Sequence, residues 1–418
     1  MITTQPNYKL TRLACYAAYF TMSSIFCVPP LLFMILREEY GISYTLLGTL
    51  VLINFCTQLA IDLIFTLFSK HFNTKLTVRL MPVITSVGLL VYALVPRLFP
   101  SLAYPGLVVG TVIFSVSAGL SEVLLSPTIA AMPSDNPQRD MSFLHSLYAF
   151  GVVTMVLIST AFLGIFGKDS WVYLVTVLAA LPLIAAVLFA LSPMPDMSAS
   201  VSDGGTRASK KQAIGLLLSV LCIFFGSCSE NAMSNWISGY MESALGVDKS
   251  FGDVFGVAMF AVLLGVARIT YSRIGRRIEG VLLIGMIGAA VCYLTAALVP
   301  ITAVAFAACI LTGLFTAMLW PGSLIFMEEN VPGVGVGAFA LMAAGGDFGA
   351  SLAPQLLGAI ADAVSASGFG ASLASQLGIG AEQLGLKAGM LVCAVFPALG
   401  IITVIVTVRY FRKSRTGA

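Results

Sequence analysis

The sequence predicts an all-α membrane protein with twelve transmembrane helices in two six-helix bundles related by pseudo-two-fold symmetry. Three observations predict this fold. First, 58% of the 418 residues are hydrophobic and 10% are charged, whereas soluble domains carry roughly 25% charged residues. Second, the apolar residues form continuous runs of about 20, the length that crosses a bilayer as a helix, rather than the alternating segments of a barrel. Third, the two halves of the chain repeat a pattern of Gly and Pro.

The apolar runs, taken in order, define the individual spans. Most of the connections between them are short, so consecutive helices are expected to be antiparallel neighbours. The predicted spans are residues 10–36, 44–69, 76–95, 104–132, 141–166, 171–191, 213–240, 250–272, 278–299, 302–327, 336–361 and 387–408.

A long polar connection in the middle of the chain separates spans six and seven. It contains Pro, Gly and basic residues over 192–212. We therefore expect an N-terminal six-helix bundle over 1–191 and a C-terminal six-helix bundle over 213–418. A second long connection, 363–387, is rich in Gly, Ala and Ser, and its structure is left open by the sequence.

The distribution of basic residues predicts the orientation. If both termini are cytoplasmic, most of the 22 Lys and Arg residues lie in cytoplasmic segments, as the positive-inside rule requires. We therefore predict a multi-pass protein of the cell (inner or plasma) membrane, with both termini and the central linker in the cytoplasm.

Several classes of protein are disfavoured by what the sequence lacks. The eight cysteines lie in apolar runs with no CxxC pair, so we expect packing residues and neither disulfides nor a metal site. Basic residues are scattered through short loops, which disfavours a nucleic-acid partner. There is no HExxH, GxSxG or phosphate-binding GxxxxGK[ST] motif. We expect no enzyme activity and no cofactor, with the lipid bilayer, protons and a small-molecule solute as partners of a functional monomer.

The halves of the chain repeat at an offset of 194 residues. That offset pairs Gly119 with Gly313, Pro127 with Pro321, Asp135 with Glu329 and Gly151 with Gly345. Internal repeats are common in secondary transporters, which bind substrate near the bilayer midplane where the repeats meet. The repeat therefore favours a transporter.

Glu122 lies near the middle of the apolar span four. A carboxylate at that depth costs about 3 kcal/mol and usually faces a bundle interior or a water-filled path. We interpret Glu122 as the residue that binds and releases a coupling proton, with a structural hydrogen bond as the alternative. Its counterpart at the repeat offset is Thr316, so the acid belongs to the N-terminal half only.

Spans two and eleven each carry three polar residues spaced four apart, which places them on one face of a helix. We expect both stripes to line one aqueous cavity, with their aspartates as further proton sites and the other members as solute contacts. Hydrogen bonding between helices is the alternative. The stripes are Asn54, Gln58 and Asp62 in span two, and Asp347, Ser351 and Gln355 in span eleven.

Two more polar groups are candidates for solute binding. His145 and Tyr148 lie one turn apart at the start of span five, where the imidazole could relay a proton or could simply lie near the cytoplasmic surface. In span seven, amides suit sugar hydroxyls and an indole can stack on a sugar face, although Trp also marks membrane interfaces. The span-seven candidates are Glu230, Asn231, Asn235 and Trp236.

Charged residues at the inner ends of the spans are candidates for gating. Arg268 is expected to pair with a carboxylate across the halves or to extend to the surface. Glu328 and Glu329 are expected to pair with Arg276 or Arg277 as an inner latch. The first-half counterpart would be Asp135 with Arg139.

Two motifs resemble those of the major facilitator superfamily. The turn after span eight ends in Gly275-Arg276-Arg277, and span eleven contains a motif that starts Gly345-Gly346-Asp347-Phe348-Gly349 and continues to Pro354 and Gly358. With twelve spans and a central cytoplasmic linker, the resemblance covers nearly the whole chain. It implies that spans two and eleven face each other across the two halves.

Within that superfamily, span four resembles the fucose–proton symporter group. Glu122 precedes Pro127 by five residues, with Ser126 where that group has Asn, and span seven is similar in its Glu230-to-Trp236 segment. The group carries an acidic residue on span one, and span one has none here. The resemblance implies a proton-coupled sugar transporter.

Three functions remain open from the sequence. The leading hypothesis is a secondary transporter that takes up a small polar solute, a sugar or polyol, with protons by alternating access. The second is proton-coupled efflux of amphipathic compounds or drugs, with Asp62 or Asp347 as the proton site. The third, of another class, is a non-transporting membrane sensor or assembly partner.

Overall fold

The chain is described from a computed structural model over residues 7–68, 71–135, 137–195, 210–274, 277–331 and 336–415, which are helical almost throughout and contain no strand. The helices before the linker are α1 (Lys9–Tyr40), α2 (Tyr44–Phe68), α3 (Thr74–Leu98), α4 (Ala103–Ala130), α5 (Pro137–Phe166), α6 (Trp171–Leu178) and α7 (Leu181–Leu191).

The helices after the linker include one π-helical segment. They are α8 (Lys210–Ser243), α9 (Lys249–Gly252), the π-helix Asp253–Ala258, α10 (Met259–Ile274), α11 (Ile278–Leu298), α12 (Thr302–Thr316), α13 (Leu319–Asn330), α14 (Val336–Ser365), α15 (Gly368–Leu377), α16 (Ala381–Cys393) and α17 (Val395–Arg415).

Ten of the twelve predicted spans coincide with helices that are long and apolar enough to cross a membrane. Predicted span eleven corresponds to α14, which together with α15 passes the same test as a pair bent by 82°. Predicted span five corresponds to α5, in which Phe150–Phe166 is a shorter apolar stretch. These helices make the chain a multi-pass membrane protein.

The chain divides into two compact units. The N-terminal unit comprises Met1–Tyr40 and Cys56–Asp203, and the C-terminal unit comprises Gly41–Phe55 and Gly204–Ala418. Helix α2 is therefore shared, because its first half groups with the C-terminal unit.

In the N-terminal unit, α1 packs against α4, α5 and α7, and α3 packs against α4. The core between these helices contains large apolar side chains that are almost completely buried, including Val78, Met81, Leu125 and Phe189. These residues carry no charge, and the polar side chains buried beside them include the hydroxyl of Ser117, which donates to the carbonyl oxygen of Met81.

In the C-terminal unit, α8 packs against α13, α14 and α17, and α11 packs against α12 and α17. Its core contains Leu282, Met286, Leu319 and Met327, all fully buried. The long helix α8 thereby contacts most of the unit, and its polar residues lie among the surrounding helices.

The two copies of the repeated span differ in continuity. Helix α4 runs without interruption through Pro127, whereas its second-half counterpart is divided into α12 and α13 at Ala317 and Met318. Pro321 has no backbone N–H and cannot donate to the carbonyl of Ala317 four residues earlier. The carbonyl of Ala317 is therefore left without its helical donor at the break, although Pro127 removes the same bond in α4 without interrupting that helix.

The first half of α2 is held by α14. The backbone N–H groups of Tyr44 and Thr45 donate to the carboxylate of Asp362 at 3.1 and 2.6 Å, so Asp362 caps the start of α2. Gly358 lies one turn earlier in α14, where a Cβ atom would come within 2.3 Å of the carbonyl oxygen of Tyr44. Only glycine permits so close an approach of the two backbones.

The connection 363–387 contains a short helix, α15, and the start of α16. Ser367 caps α15 by accepting a hydrogen bond from Gly370 N, and Gly378 ends the helix with a positive φ of 66°. The serine cap at the start and the left-handed glycine at the end therefore delimit α15, which has ten residues.

Candidate functional site

Glu122 lies in the second half of α4, and the residue is exposed. Gly119, one turn earlier on the same face, packs against α2: a Cβ atom there would lie 3.0 Å from Cβ of Ile61 and 3.1 Å from the carbonyl oxygen of Gln58. Residues three apart share a helix face. The close approach at Gly119 therefore turns Glu122 toward α2.

Asp62 of α2 interacts electrostatically with Glu122. Its carboxyl oxygen Oδ1 is buried and accepts no hydrogen bond from the described part of the chain. Two acidic side chains that the sequence placed on separate spans thus lie together in the N-terminal unit. Their negative charges repel when both are ionised, and binding a proton removes that repulsion.

An aromatic group of α1 and α5 adjoins this pair. Tyr19 interacts electrostatically with Glu122, and its ring meets that of Tyr148 edge-on, with 6.5 Å between centroids. Phe26 meets Tyr148 in the same way at 5.7 Å. Tyr148, predicted as a solute contact, is thereby linked through Tyr19 to Glu122. The side chain of His145 lies outside the described residues.

Tyr19 was missed by the sequence reasoning, which searched span one for an acid. A usable signal was present, since Tyr19 and Phe26 are seven residues apart and share one face of α1. Among so many apolar residues an aromatic pair at this spacing is ordinary packing, and only the contact with Glu122 distinguishes it.

The polar stripe of α2 is divided between the two units. Gln58 and Asp62 belong to the N-terminal unit and Asn54 to the C-terminal unit. Both amides are buried, at 2% exposure for Gln58 and 7% for Asn54. Of the three, Asp62 is the residue that the structure brings to Glu122.

The stripe on α14 lies wholly in the C-terminal unit. Ser351 is fully buried and donates to the carbonyl oxygen of Phe348 in its own helix at 2.8 Å. Gln355 accepts a hydrogen bond from the hydroxyl of Thr49 at 3.1 Å, so it joins α14 to the first half of α2. Asp347 is 6% exposed. Of the three, Gln355 makes the hydrogen bond to another helix that the alternative expects, and the lining of a cavity by this stripe stays a prediction.

The four predicted solute contacts on α8 have different partners in the structure. Trp236, which we predicted as a sugar-stacking residue, is completely buried: its indole N–H donates to the carbonyl oxygen of Pro354 at 2.9 Å, and its ring packs on Tyr44. Its face is therefore unavailable to a solute here. The amide nitrogens of Asn231 and Asn235 donate to carbonyl oxygens of α8 itself.

Glu230 forms an ion pair with Arg268, with 3.7 Å between Oε1 and Nη2. The Nε–H of Arg268 also donates to the carbonyl oxygen of Ala317 at 2.9 Å. Both partners belong to the C-terminal unit. The carboxylate partner of Arg268 is thus in its own unit and not across the halves, while its 41% exposed side chain leaves the expected extension to the surface as a prediction.

Three members of the predicted inner latch are among the described residues. Glu328, Glu329 and Arg277 are exposed, and within the described residues no ion pair joins either glutamate to Arg277. Asp135 is also exposed. The remaining members of the prediction, Arg276 and the side chain of Arg139, lie outside the described residues.

Other ion pairs occur near these ends of the helices. Arg12 pairs with Asp140 at 3.2 Å and also donates to the carbonyl oxygen of Pro133 at 3.0 Å, which joins α1 to the start of α5. Arg412 pairs with Glu279 at 2.8 Å. The sequence contained all four charged residues but did not indicate which of them would pair.

The fold and these polar groups define the class of the protein. The chain has many apolar helical spans, with carboxyl groups and an arginine inside them. These features are typical of polytopic membrane transporters. A family model described as Major Facilitator Superfamily matches residues 14–354. The chain belongs to the Major Facilitator Superfamily, as the motifs of spans eight and eleven predicted, and it is a transporter rather than an enzyme.

Solved structures of the same fold include transporters for different solutes. A bacterial homolog of the human lysosomal transporter Spinster, in an inward-facing and occupied conformation, is 14% identical with a TM-score of 0.75, covering 98% of both chains. The D-xylose–proton symporter is 14% identical with a TM-score of 0.72, covering 93% of this chain and 96% of the other. The fucose–proton symporter of E. coli is 14% identical with a TM-score of 0.57, covering 96% and 99%.

The TM-scores show that these structures share the fold, but at 14% identity they leave the solute open. No match was found among curated proteins. Residues of the chain itself must therefore carry any assignment of solute and coupling ion.

Proposed function

We propose that this transporter takes up a sugar or a related small polar solute together with protons, by alternating access. The observation that carries the proposal is the pair formed by Asp62 and the exposed Glu122 in the N-terminal unit. Ionisable groups inside membrane spans usually mark the path of a substrate or a proton.

The carboxyl pair suits proton coupling for an electrostatic reason. A lone charge inside the span is costly, and a second charge of the same sign adds repulsion, so protonation of the pair lowers both costs. Because Glu122 is exposed, water and a proton can reach it. Alternating access would then expose the pair to each side of the membrane in turn.

The side chains beside the pair support a polar solute. Tyr19 and Tyr148 beside the pair are aromatic residues with a polar hydroxyl, a side-chain type that suits a sugar. Two of the transporters with the same fold are named as sugar–proton symporters. His145, one turn from Tyr148 on α5, remains a candidate proton relay.

Proton flux in proteoliposomes tests the proposal. Liposomes that contain the full chain and a trapped pH dye should acidify when the transported sugar is added outside. Glu122→Gln should lose accumulation driven by a pH gradient while keeping part of the exchange of labelled solute, because exchange needs no net proton movement. Glu38→Gln is the matched control, since Glu38 is a surface carboxylate in a long ion pair with Lys168 at 3.8 Å.

The proposal fails if a full sugar panel causes no proton movement, or if driven uptake persists in Glu122→Gln. A wild-type response that is also lost in Glu38→Gln would trace the loss to the assay rather than to Glu122. The expected pattern is therefore loss at Glu122 and retention at Glu38.

The aromatic residues around Glu122 favour efflux of amphipathic cations as a second candidate function. Tyr19, Phe26 and Tyr148 form edge-to-face contacts, and aromatic rings beside a carboxylate bind organic cations. If lipophilic amines rather than sugars dissipate an imposed pH gradient, the direction is efflux. Membership of a transporter family is evidence against the third reading, a non-transporting sensor or assembly partner.

The proposal includes a topology. Both termini and the linker would lie in the cytoplasm, in the inner or plasma membrane, because most basic residues then obey the positive-inside rule. A reporter enzyme that is active only in the cytoplasm should be active when fused to either end. The chain is proposed to act as a monomer, which single-molecule counting in dilute liposomes would check.

A further inference from the structure

Arg268 holds a positive charge among the spans of the C-terminal unit. Its Nε–H donates to the carbonyl oxygen of Ala317, which Pro321 leaves without its usual helical partner. Ala317 lies near the middle of the span Thr302–Asn330. The hydrogen bond therefore places the guanidinium beside the middle of that span, although Arg268 itself is close to the end of α10.

Most of the hydrogen-bonding capacity of Arg268 is unused. An arginine side chain carries five N–H donors, and Ala317 takes one of them. Nη2 lies 3.7 Å from the carboxylate of Glu230, which is beyond hydrogen-bonding distance. The side chain is 41% exposed, against 20% for Glu230. Within the described residues, the outer two nitrogens of Arg268 thus make no hydrogen bond.

We propose that the two outer nitrogens of Arg268 bind the carboxylate of the transported solute, and that this solute is a sugar acid. The planar fork of a guanidinium matches a carboxylate with two parallel hydrogen bonds. Glu230 balances the charge loosely while the site is empty and is displaced by the carboxylate of the solute. The inference rests on the proposed function for the sugar and the proton.

Neighbouring groups on α8 suit the hydroxyls of such a solute. The amide nitrogens of Asn231 and Asn235 are used within α8, at 3.1 and 2.9 Å from carbonyl oxygens of the helix. Their Oδ1 atoms accept no hydrogen bond from the described part of the chain and can accept from sugar hydroxyls. Arg268 would thus bind the carboxylate of the solute, and the amides of Asn231 and Asn235 would bind its hydroxyls.

The charge balance also fits the proposed coupling. A sugar carboxylate that moves with one proton carries no net charge across the membrane, whereas a neutral sugar that moves with one proton carries one positive charge. Uptake of the acid should therefore respond to a pH gradient and not to membrane potential.

Binding of matched acid and neutral sugars tests the inference. The full chain in detergent is titrated with D-glucuronate, D-galacturonate and D-gluconate, and with D-glucose and D-galactose, while its thermal midpoint is followed. The acids should raise the midpoint and the neutral sugars should do so far less. Arg268→Lys keeps the charge but loses the fork, and should weaken binding of the acid about ten- to hundredfold. Arg409→Lys, an exposed arginine of the same unit, should bind as the wild type does.

Glu230→Gln provides a second measurement that does not depend on altering Arg268. Removing the competing carboxylate should tighten binding of the acid severalfold. The inference is overturned if no acid binds better than its neutral counterpart, if Arg268→Lys binds the acid unchanged, or if Glu230→Gln leaves the affinity as it was.

The two proposals can fail separately. Proton-coupled uptake of a neutral sugar that requires Glu122 but is indifferent to Arg268 would overturn the sugar-acid inference alone. Binding of the acid that requires Arg268, without any proton flux in liposomes, would uphold the site at Arg268 and overturn the proposed coupling.

Discussion

Asp62 on α2 and Glu122 on α4 form a carboxyl pair inside the N-terminal unit, next to the point where Gly119 brings the two helices together. The pair depends on that approach, because Gly119 and Glu122 occupy the same face of α4. Neither acid is repeated in the second half of the chain, so that half has no corresponding pair; Glu122, for example, corresponds to Thr316.

The first prediction is that Asp62→Asn and Glu122→Gln have strongly non-additive effects. If the two carboxyls share a proton as one unit, removing either should abolish most proton-driven uptake, and the double variant should be little worse than Glu122→Gln alone. Initial rates of proton flux in proteoliposomes measure this. Effects that multiply would show that the two acids act independently.

The second prediction concerns the close approach at Gly119. Gly119→Leu should push α4 away from Ile61 and Gln58, with a cost of about 1–3 kcal/mol as in other overpacked cores, and should impair proton flux by separating Glu122 from Asp62. Gly265→Ala is the control, because a Cβ atom on Gly265 of α10 meets nothing within 4 Å. That substitution should leave the thermal midpoint unchanged or raise it slightly.

The third prediction is that Trp236 has a structural role and does not bind the solute. Trp236→Phe loses the hydrogen bond to the carbonyl oxygen of Pro354, and the carbonyl stays buried, so stability should fall by about 1–3 kcal/mol. Solute affinity should remain near the wild-type value, measured below the lowered thermal midpoint. A variant with normal stability and lost affinity would restore the stacking role that the sequence suggested.

The fourth prediction concerns the cap of α2. Asp362→Ala removes the acceptor of the N–H groups of Tyr44 and Thr45 and should lower stability by about 0.5–2 kcal/mol, as the loss of helix caps does. Asp169→Ala alters an exposed aspartate and should have little effect on the same thermal unfolding curve. Equal effects of the two substitutions would argue against the cap.

The predictability of the site differed between its parts. The intramembrane positions of Glu122, Asp62 and Arg268 were visible in the sequence, because charges stand out in apolar runs. The partner of each charge was not visible, because a partner comes from another helix, and periodicity gives only the face on which a side chain lies. Trp236 shows the same limit, since an aromatic ring on a polar face of α8 proved to be packed against Pro354 and Tyr44.

Composition and periodicity by themselves determined that the chain is an all-helical membrane protein, where its spans lie and, through two motifs, its superfamily, because the length and polarity of a span are local properties of the chain. Tertiary structure decided that Asp62 meets Glu122, that Glu230 meets Arg268 and that α2 is shared between two units. Those relationships depend on how closely the helices approach one another. Single residues control this approach: Gly119 and Gly358 allow close packing, and Pro321 leaves the carbonyl of Ala317 available to Arg268.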